Sequence, residues 1–514
     1  MQRSTRDELS LDRIEPSRRA ASVLRVEVVT GNVRLHAAIA FYAMCGLTLW
    51  RTRGHANDLW LIAFVATWLI MVAATLRATP LRALPAVDLR TPCVAWLALT
   101  GLVWSYGGVL REATEVFWLR SFRAASLLMT AASLAVGYLM LKSEGEEATR
   151  AKKRRVAIAL SVLTTVVIVA QAMVLRASPA PGIDVFTCAT AAADHLLAGR
   201  NPYEQVYGDI YGGRYDYPPV MVYWPAVLLW ETVARWIFHD VRVGTLLAEL
   251  IAGLFCYKTL VTLRVPRTHA WLFALGWVAF PVAPFVLEQA WMDPLLVMSF
   301  AALACALALR RPLAAGAALG LVLSFKQYGS VGAAITLVYL VRAFGPRRAA
   351  HSAAIALGTF AATILPFLAW NARALLYMTV FVPAHAGMRS DSLGLLPLLS
   401  DTVTEPWPSR ITAVATIAVT AASTAWLARR PVRLAEWATA LVFAYMSLFL
   451  LSKQAFCNYY YFTSFFAWAA AVFLAAHPLP PWRDSVGGAS KPNNASSPFV
   501  GRCTRHNDIL RGGE

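Results

Sequence analysis

Between residues 33 and 475 the chain falls into fifteen apolar windows, most of them 18 to 21 residues long and separated by polar turns. A segment of roughly 20 mostly apolar residues is what a helix needs to cross a bilayer. Repetition of that unit excludes a soluble globular enzyme and predicts an all-α, polytopic membrane protein. The composition agrees, with 58% hydrophobic and 15% charged residues, against about 25% charged in an ordinary soluble chain.

The net charge of +18 would suggest nucleic acid in a soluble protein. Here the basic residues gather in short turns between apolar windows, as the positive-inside rule expects, so no nucleic-acid partner is predicted. Residues 1–32 form a basic arm with six Arg. A cleaved signal peptide does not fit that arm, and the first span is expected to stay as an anchor. The seven Cys lie mostly inside apolar windows, without a metal-like CxxC pair, so neither disulfides nor a structural zinc are expected.

The arm and the basic stretch from Lys142 to Arg155 place both segments in the cytoplasm, and five crossings then put the loop 176–217 outside. Arg310-Arg311, Arg347-Arg348 and Arg429-Arg430 mark later cytoplasmic turns, which puts a second long loop, 371–410, outside as well. The tail 476–514 is predicted to be cytoplasmic and disordered. These assignments require an even number of crossings, so one window, in the region 218–286, does not cross. The prediction is about fourteen spans, in an inner or plasma membrane of the cell envelope, with both termini cytoplasmic.

The first outer loop opens at Asp184, ahead of an Ala-rich stretch, 185–198, suited to a helix at the membrane surface and ended by Gly199. Asp184 is either the cap of that helix or a catalytic carboxylate. The loop continues with Asn201-Pro-Tyr203, Arg214 and Tyr217-Pro-Pro, which also read as turns with interfacial aromatics. Further along, Glu288-Gln289 and Asp293 open one span, and Lys326-Gln327 close another. His385 and Arg389 stand in the second outer loop, and Lys453 and Asn458-Tyr459 at the outer end of the last span. Each ionisable group so close to a bilayer is either functional or snorkelling. Seven of them, Asp184, Glu288, Asp293, Lys326, His385, Arg389 and Lys453, map to one face. Cations that hold a phosphate, beside a carboxylate that takes a proton, suit glycosyl transfer from a lipid-linked phosphosugar.

The order of Asp184, the Ala-rich helix, Gly199-Arg-Asn-Pro-Tyr203 and Tyr217-Pro-Pro resembles the GT-C superfamily of polytopic glycosyltransferases. The likeness is closest to bacterial polyprenol-phosphate-mannose-dependent mannosyltransferases. Phe325-Lys326-Gln327-Tyr328-Gly329 and Lys453-Gln454 with Asn458-Tyr459-Tyr460 resemble motifs of that family's middle and last spans. The resemblance covers roughly 156–475 and implies a GT-C-like catalytic core there, with 33–155 as an additional transmembrane module. It implies an inverting hexosyltransferase, most simply a mannosyltransferase, that uses a polyprenyl-phosphate sugar donor and an extracytoplasmic lipid or glycan acceptor among membrane lipids. Asp184 would be the general base and Lys326 would meet the donor phosphate; no metal or other cofactor is required. Glu288 departs from the family, which carries Gly before the Gln289 position. A transporter or flippase for a lipid-linked or polar substrate is the alternative, although the two halves show no convincing inverted repeat.

Overall fold

The computed structural model describes residues 33–76, 88–106, 108–143, 150–214, 218–400, 402–403 and 406–476. The arm 1–32 and the tail beyond 476 lie outside the described residues. Among the described residues the chain is all-helical, without a strand.

Among the described residues the first five helices are α1 (Val33–Thr52), α2 (Asp58–Leu76), α3 (Arg90–Tyr106), α4 (Val116–Lys142) and α5 (Arg150–Ala177). After a proline-rich strap come α6 (Asp184–Leu197), α7 (Pro225–Phe238), α8 (Arg242–Thr262), α9 (Arg267–Val278) and α10 (Ala283–Glu288). Next are α11 (Asp293–Ala308), α12 (Pro312–Phe325), α13 (Gly329–Phe344) and α14 (Pro346–Leu376), then a π-helical turn over Tyr377–Phe381 and α15 (Val382–His385). The last described helices are α16 (Trp407–Ala428), α17 (Leu434–Leu450) and α18 (Cys457–Ala476). Proline stands in the first turn of α7, α11, α12, α14 and α16, where its missing N–H costs nothing and its fixed φ suits the helix.

Among the described residues, eight helical segments are long and apolar enough to cross a membrane: α1, α2, α4, α5, α8, the run Pro346–His385, α16 and α18. Shorter apolar helices, α11, α12, α13 and α17, accompany them. Where α12 meets α14, Gly316 and Gly320 are required: a Cβ at Gly316 would lie 2.5 Å from Ser352 O, and one at Gly320 would overlap Thr359. This is the small-residue spacing that lets two apolar helices approach closely.

α9 and α10 are two pieces of one broken helix. Pro281 and Pro284 interrupt the ladder, and residues 279–290 are all buried. A break under such cover is tolerated when its carbonyls find other donors. They do: Tyr42 OH donates to Gly276 O (2.6 Å), Gln171 Nε2 to Val278 O (2.8 Å) and Trp104 Nε1 to Pro281 O (2.9 Å). Tyr42 and Trp104 belong to α1 and α3, so the leading helices are built into the core. α1 packs on α18, and α3 on α9.

α7 has both ends at one end of the bundle. Near its C-terminus Arg235 pairs with Asp194 at 2.8 Å, and just beyond it Arg242 donates to Ser178 O at 2.6 Å. Just before its N-terminus, Tyr223 O accepts from Tyr203 OH at 2.9 Å. The segments 178–214, 218–224 and 377–400 gather at this same end, called the loop end below.

A cleft with candidate functional residues

Five segments meet at the loop end around a cleft of about 510 Å³. They are the start of α6, residues 218–223, the α12–α13 turn, α15 with the start of α16, and the end of α17 with the α17–α18 turn and the start of α18. Asp184, Lys326, Gln327, Lys453 and Tyr459 all line it. Val331, Val382 and Leu448 supply aliphatic wall.

Asp184 is the first residue of α6, and Ile183 occupies the cap position in extended geometry without a side-chain cap bond. The aspartate is therefore not the helix cap. Its Oδ1 accepts from Val185 N at 2.8 Å and stands 3.4 Å from Tyr211 OH. The residue is half-buried, with a face on the cleft. A carboxylate placed so can reach a substrate proton.

Lys326 terminates α12 in extended backbone geometry, φ −144° and ψ 147°, which turns the chain sharply into α13. Its Nζ lies 2.8 Å from Asp293 Oδ2, and both side chains are buried. The rings of Tyr223, Tyr328 and Tyr459 surround the ammonium at 5.1, 5.4 and 5.6 Å, within cation–π reach. Asp293 also accepts from Asn458 Nδ2 at 2.9 Å and from Tyr328 OH. Lys326 thus reaches the cleft, whereas Asp293 and Asn458 stand beneath it. Gln327 is fixed beside them, its Nε2 donating to Val222 O (2.9 Å) and Thr379 O (2.7 Å). Those bonds hold the 218–223 segment and the π-helical turn to the α12–α13 turn.

Lys453 also lines the cleft. Its Nζ donates to Ala384 O at 2.7 Å and to Ser409 Oγ at 3.2 Å, so the cation secures α15 as well as lining the cavity.

The remaining residues singled out in the sequence have other places. Asn201 caps a short 3₁₀ turn, accepting from Tyr203 N at 3.1 Å, and Tyr203 is buried. Glu288 and Gln289 are buried away from the cleft lining. The His385 ring stacks on Phe381 with centroids 3.8 Å apart. Arg389 makes a two-bond pair with Asp391, both bonds 2.8 Å. Arg214 is exposed, and Tyr217 lies outside the described residues. The sequence reading left out Tyr211 and Tyr223; the Tyr density around Pro218-Pro219 was the signal that could have found them.

Among the described residues, no group of three or more His, Cys, Asp or Glu is arranged to hold a metal ion. Asp194, which shares a loop with Asp184, is taken by Arg235. No protein-family model matches the chain, and no curated protein matches it.

Proposed function

We propose that the protein is an inverting glycosyltransferase of the GT-C type, moving a hexose, most simply mannose, from a polyprenyl phosphate to an extracytoplasmic lipid or glycan acceptor. The observation that carries this reading is the convergence of Asp184, Lys326 and Lys453 on one cleft with aliphatic walls. Asp184 takes the proton of the acceptor hydroxyl as that oxygen attacks the anomeric carbon. The glycosyl C–O bond breaks with its electron pair going to the phosphate oxygen, and the lysines stabilise the departing charge. The apolar wall suits the lipid part of the donor.

Fourteen crossings accompany this reading if α7 lies across the membrane surface. Its exposed Leu229, Val233, Trp236 and Ile237 form an apolar stripe suited to a headgroup boundary. The Arg-rich turns at 310–311, 347–348 and 429–430 lie at the opposite end from the cleft, which supports an extracytoplasmic loop end by the positive-inside rule. The membrane is then an inner or plasma membrane, with both termini cytoplasmic. A transporter would favour the break between α9 and α10 as its ion site. Carbonyls at 276, 278 and 281 already accept from Tyr42, Gln171 and Trp104, which favours a structural break.

The test is sugar transfer in membranes carrying the protein, supplied with radiolabelled polyprenyl-phosphate-mannose and broad acceptors. Asp184→Asn is expected to lower turnover about 10²–10⁴-fold with expression and donor binding retained. Full turnover in the variant rejects the base, and substrate translocation without transfer favours the transporter.

A further inference from the structure

The helices α1–α4 contribute no residue to the lining of the cleft, yet their two turns at the loop end are bonded into both of the loops that wall it.

The first connection runs through the α3–α4 turn. Arg111 N and Glu112 N donate to the Glu288 carboxylate at 2.7 and 3.0 Å, and Ser178 Oγ donates to the same carboxylate at 2.6 Å. Thr114 N and Glu115 N donate to Ala177 O at 3.0 and 3.1 Å. Ser178 begins the strap that ends at Asp184, and its carbonyl is gripped by the buried Arg242. A Cβ on Gly182, within the strap, would stand 3.4 Å from Glu112 Oε2, so the strap passes directly beside the turn.

The second connection runs through the α1–α2 turn. Leu393 N donates to Gly54 O at 3.0 Å, and Ala56 N donates to Asp391 O at 2.9 Å. A Cβ on Gly54 would overlap the Cys457 backbone nitrogen, and Gly54 stands at φ +78°; only glycine lets this turn seat there. The same loop is tied to the cleft, since Arg389 N donates to Lys453 O at 3.0 Å. Arg53 joins the two connections, its guanidinium donating to Gly108 O and lying 5.7 Å over the Phe285 ring.

We propose that α1–α4 act as a clamp that sets the spacing of the two loops across the cleft, with Glu288 the positioning residue that fixes the Asp184 strap to the clamp. Four donors converge on the side chain at 288, two N–H groups, a hydroxyl and, at 3.4 Å, the Gln289 amide, so the position requires a group that accepts on both oxygens. A carboxylate does this, whereas a carboxamide would set an NH₂ against at least one donor. The clamp stands on the geometry alone, and its consequence for catalysis rests on the transferase reading.

The experiment is amide hydrogen exchange on the full-length protein in lipid nanodiscs, alongside transfer kinetics, for Glu288→Gln and Ser178→Ala. In Glu288→Gln, exchange over 108–115 and over 178–187 is expected to rise together by about ten-fold, as the converging donors lose their acceptor, while α11 to α13 stay unchanged. Ser178→Ala is expected to raise exchange over 178–187 alone. Both variants lower kcat and leave the donor KM unchanged, the signature of a misplaced base with intact binding. Unchanged exchange in both segments, or a rise over only one of them in Glu288→Gln, overturns the clamp. If Glu288→Gln unfolds, Ser178→Ala decides: a local rise with lowered kcat supports the proposal, and unaltered exchange rejects it. The expected exchange pattern in a protein whose unaltered form transfers no sugar leaves the clamp standing and removes the transferase reading.

Discussion

Lys326 Nζ and Asp293 Oδ2 stand 2.8 Å apart, both side chains out of solvent. The pair joins the end of α12 to the start of α11 directly beneath the cleft, so it serves the fold and the site together. Losing one member of a buried ion pair costs about 3–5 kcal/mol, because the other charge is left uncompensated. Asp293→Asn and Lys326→Met are each expected to lower the thermal midpoint in detergent markedly. The double variant should recover most of that loss but no transfer activity. A double variant no better than either single would show that the pair is not the dominant contact here.

Gln327 lines the cleft but spends its amide on two backbone carbonyls, Val222 O and Thr379 O. Gln327→Glu would replace that donor with a carboxylate facing both carbonyls. An orphaned buried polar group costs about 1–3 kcal/mol, and two segments lose their tie at once. Limited proteolysis is expected to cut near 218–223 and 377–385 faster in this variant than in Gln327→Met, which removes the bonds without adding repulsion. Equal rates in the two would mean that repulsion contributes nothing.

The helices were legible because each apolar run carries its own length and punctuation: Pro312 opens α12, and Arg310 with positive φ closes the turn before it. Loop-end geography was legible as well, since turn charges alternate along the chain. Side-chain direction was not. His385 and Lys453 were placed at the same end by the same counting, yet Lys453 lines the cleft and His385 turns onto Phe381. Only the path of α15 and its bond to Lys453 decides that. Glu288 was the furthest from reach. Its partners, Arg111, Glu112 and Ser178, lie more than a hundred residues upstream, and no local pattern announces a carboxylate that accepts from a distant turn. The window count passed over the break, although Pro281 and Pro284 were its signal; its repair by Tyr42 and Trp104 had no signal in the sequence.

That repair makes the leading helices necessary to the core. Tyr42→Phe and Trp104→Phe each leave one carbonyl of the broken helix without its donor, at a cost of about 1–3 kcal/mol apiece. The two bonds reach different carbonyls, Gly276 O and Pro281 O, through different helices. The losses are therefore expected to add approximately. A chain beginning after α4 loses both donors together with the α1–α18 and α3–α9 packing, and should not accumulate as a monodisperse protein. Stable recovery of such a truncation on size-exclusion chromatography would refute this dependence.

The α1–α2 turn also carries a pH dependence whose direction can be worked out. Burial holds His55 below its ordinary 6.5, the nearby Asp391 offsetting this only in part. Hydrogen bonds from the Arg389 side chain hold Asp391 below its ordinary 3.8. For His55, the open state binds a proton more readily than the closed one below 6.5, so closure is fully favoured above 6.5 and weakens as pH falls. For Asp391 the contribution is complete above 3.8 and is lost as pH falls through its lower folded value. Both groups therefore loosen the grip of residues 54–56 on 391–393 on acidification, His55 first. Amide exchange at Ala56 and Leu393, corrected for intrinsic rates, should report more opening at pH 5 than at pH 7.5. His55→Gln should remove that first stage and leave the response below pH 4. Opening that peaks near neutrality, or a first stage that survives His55→Gln, would assign the dependence to another group.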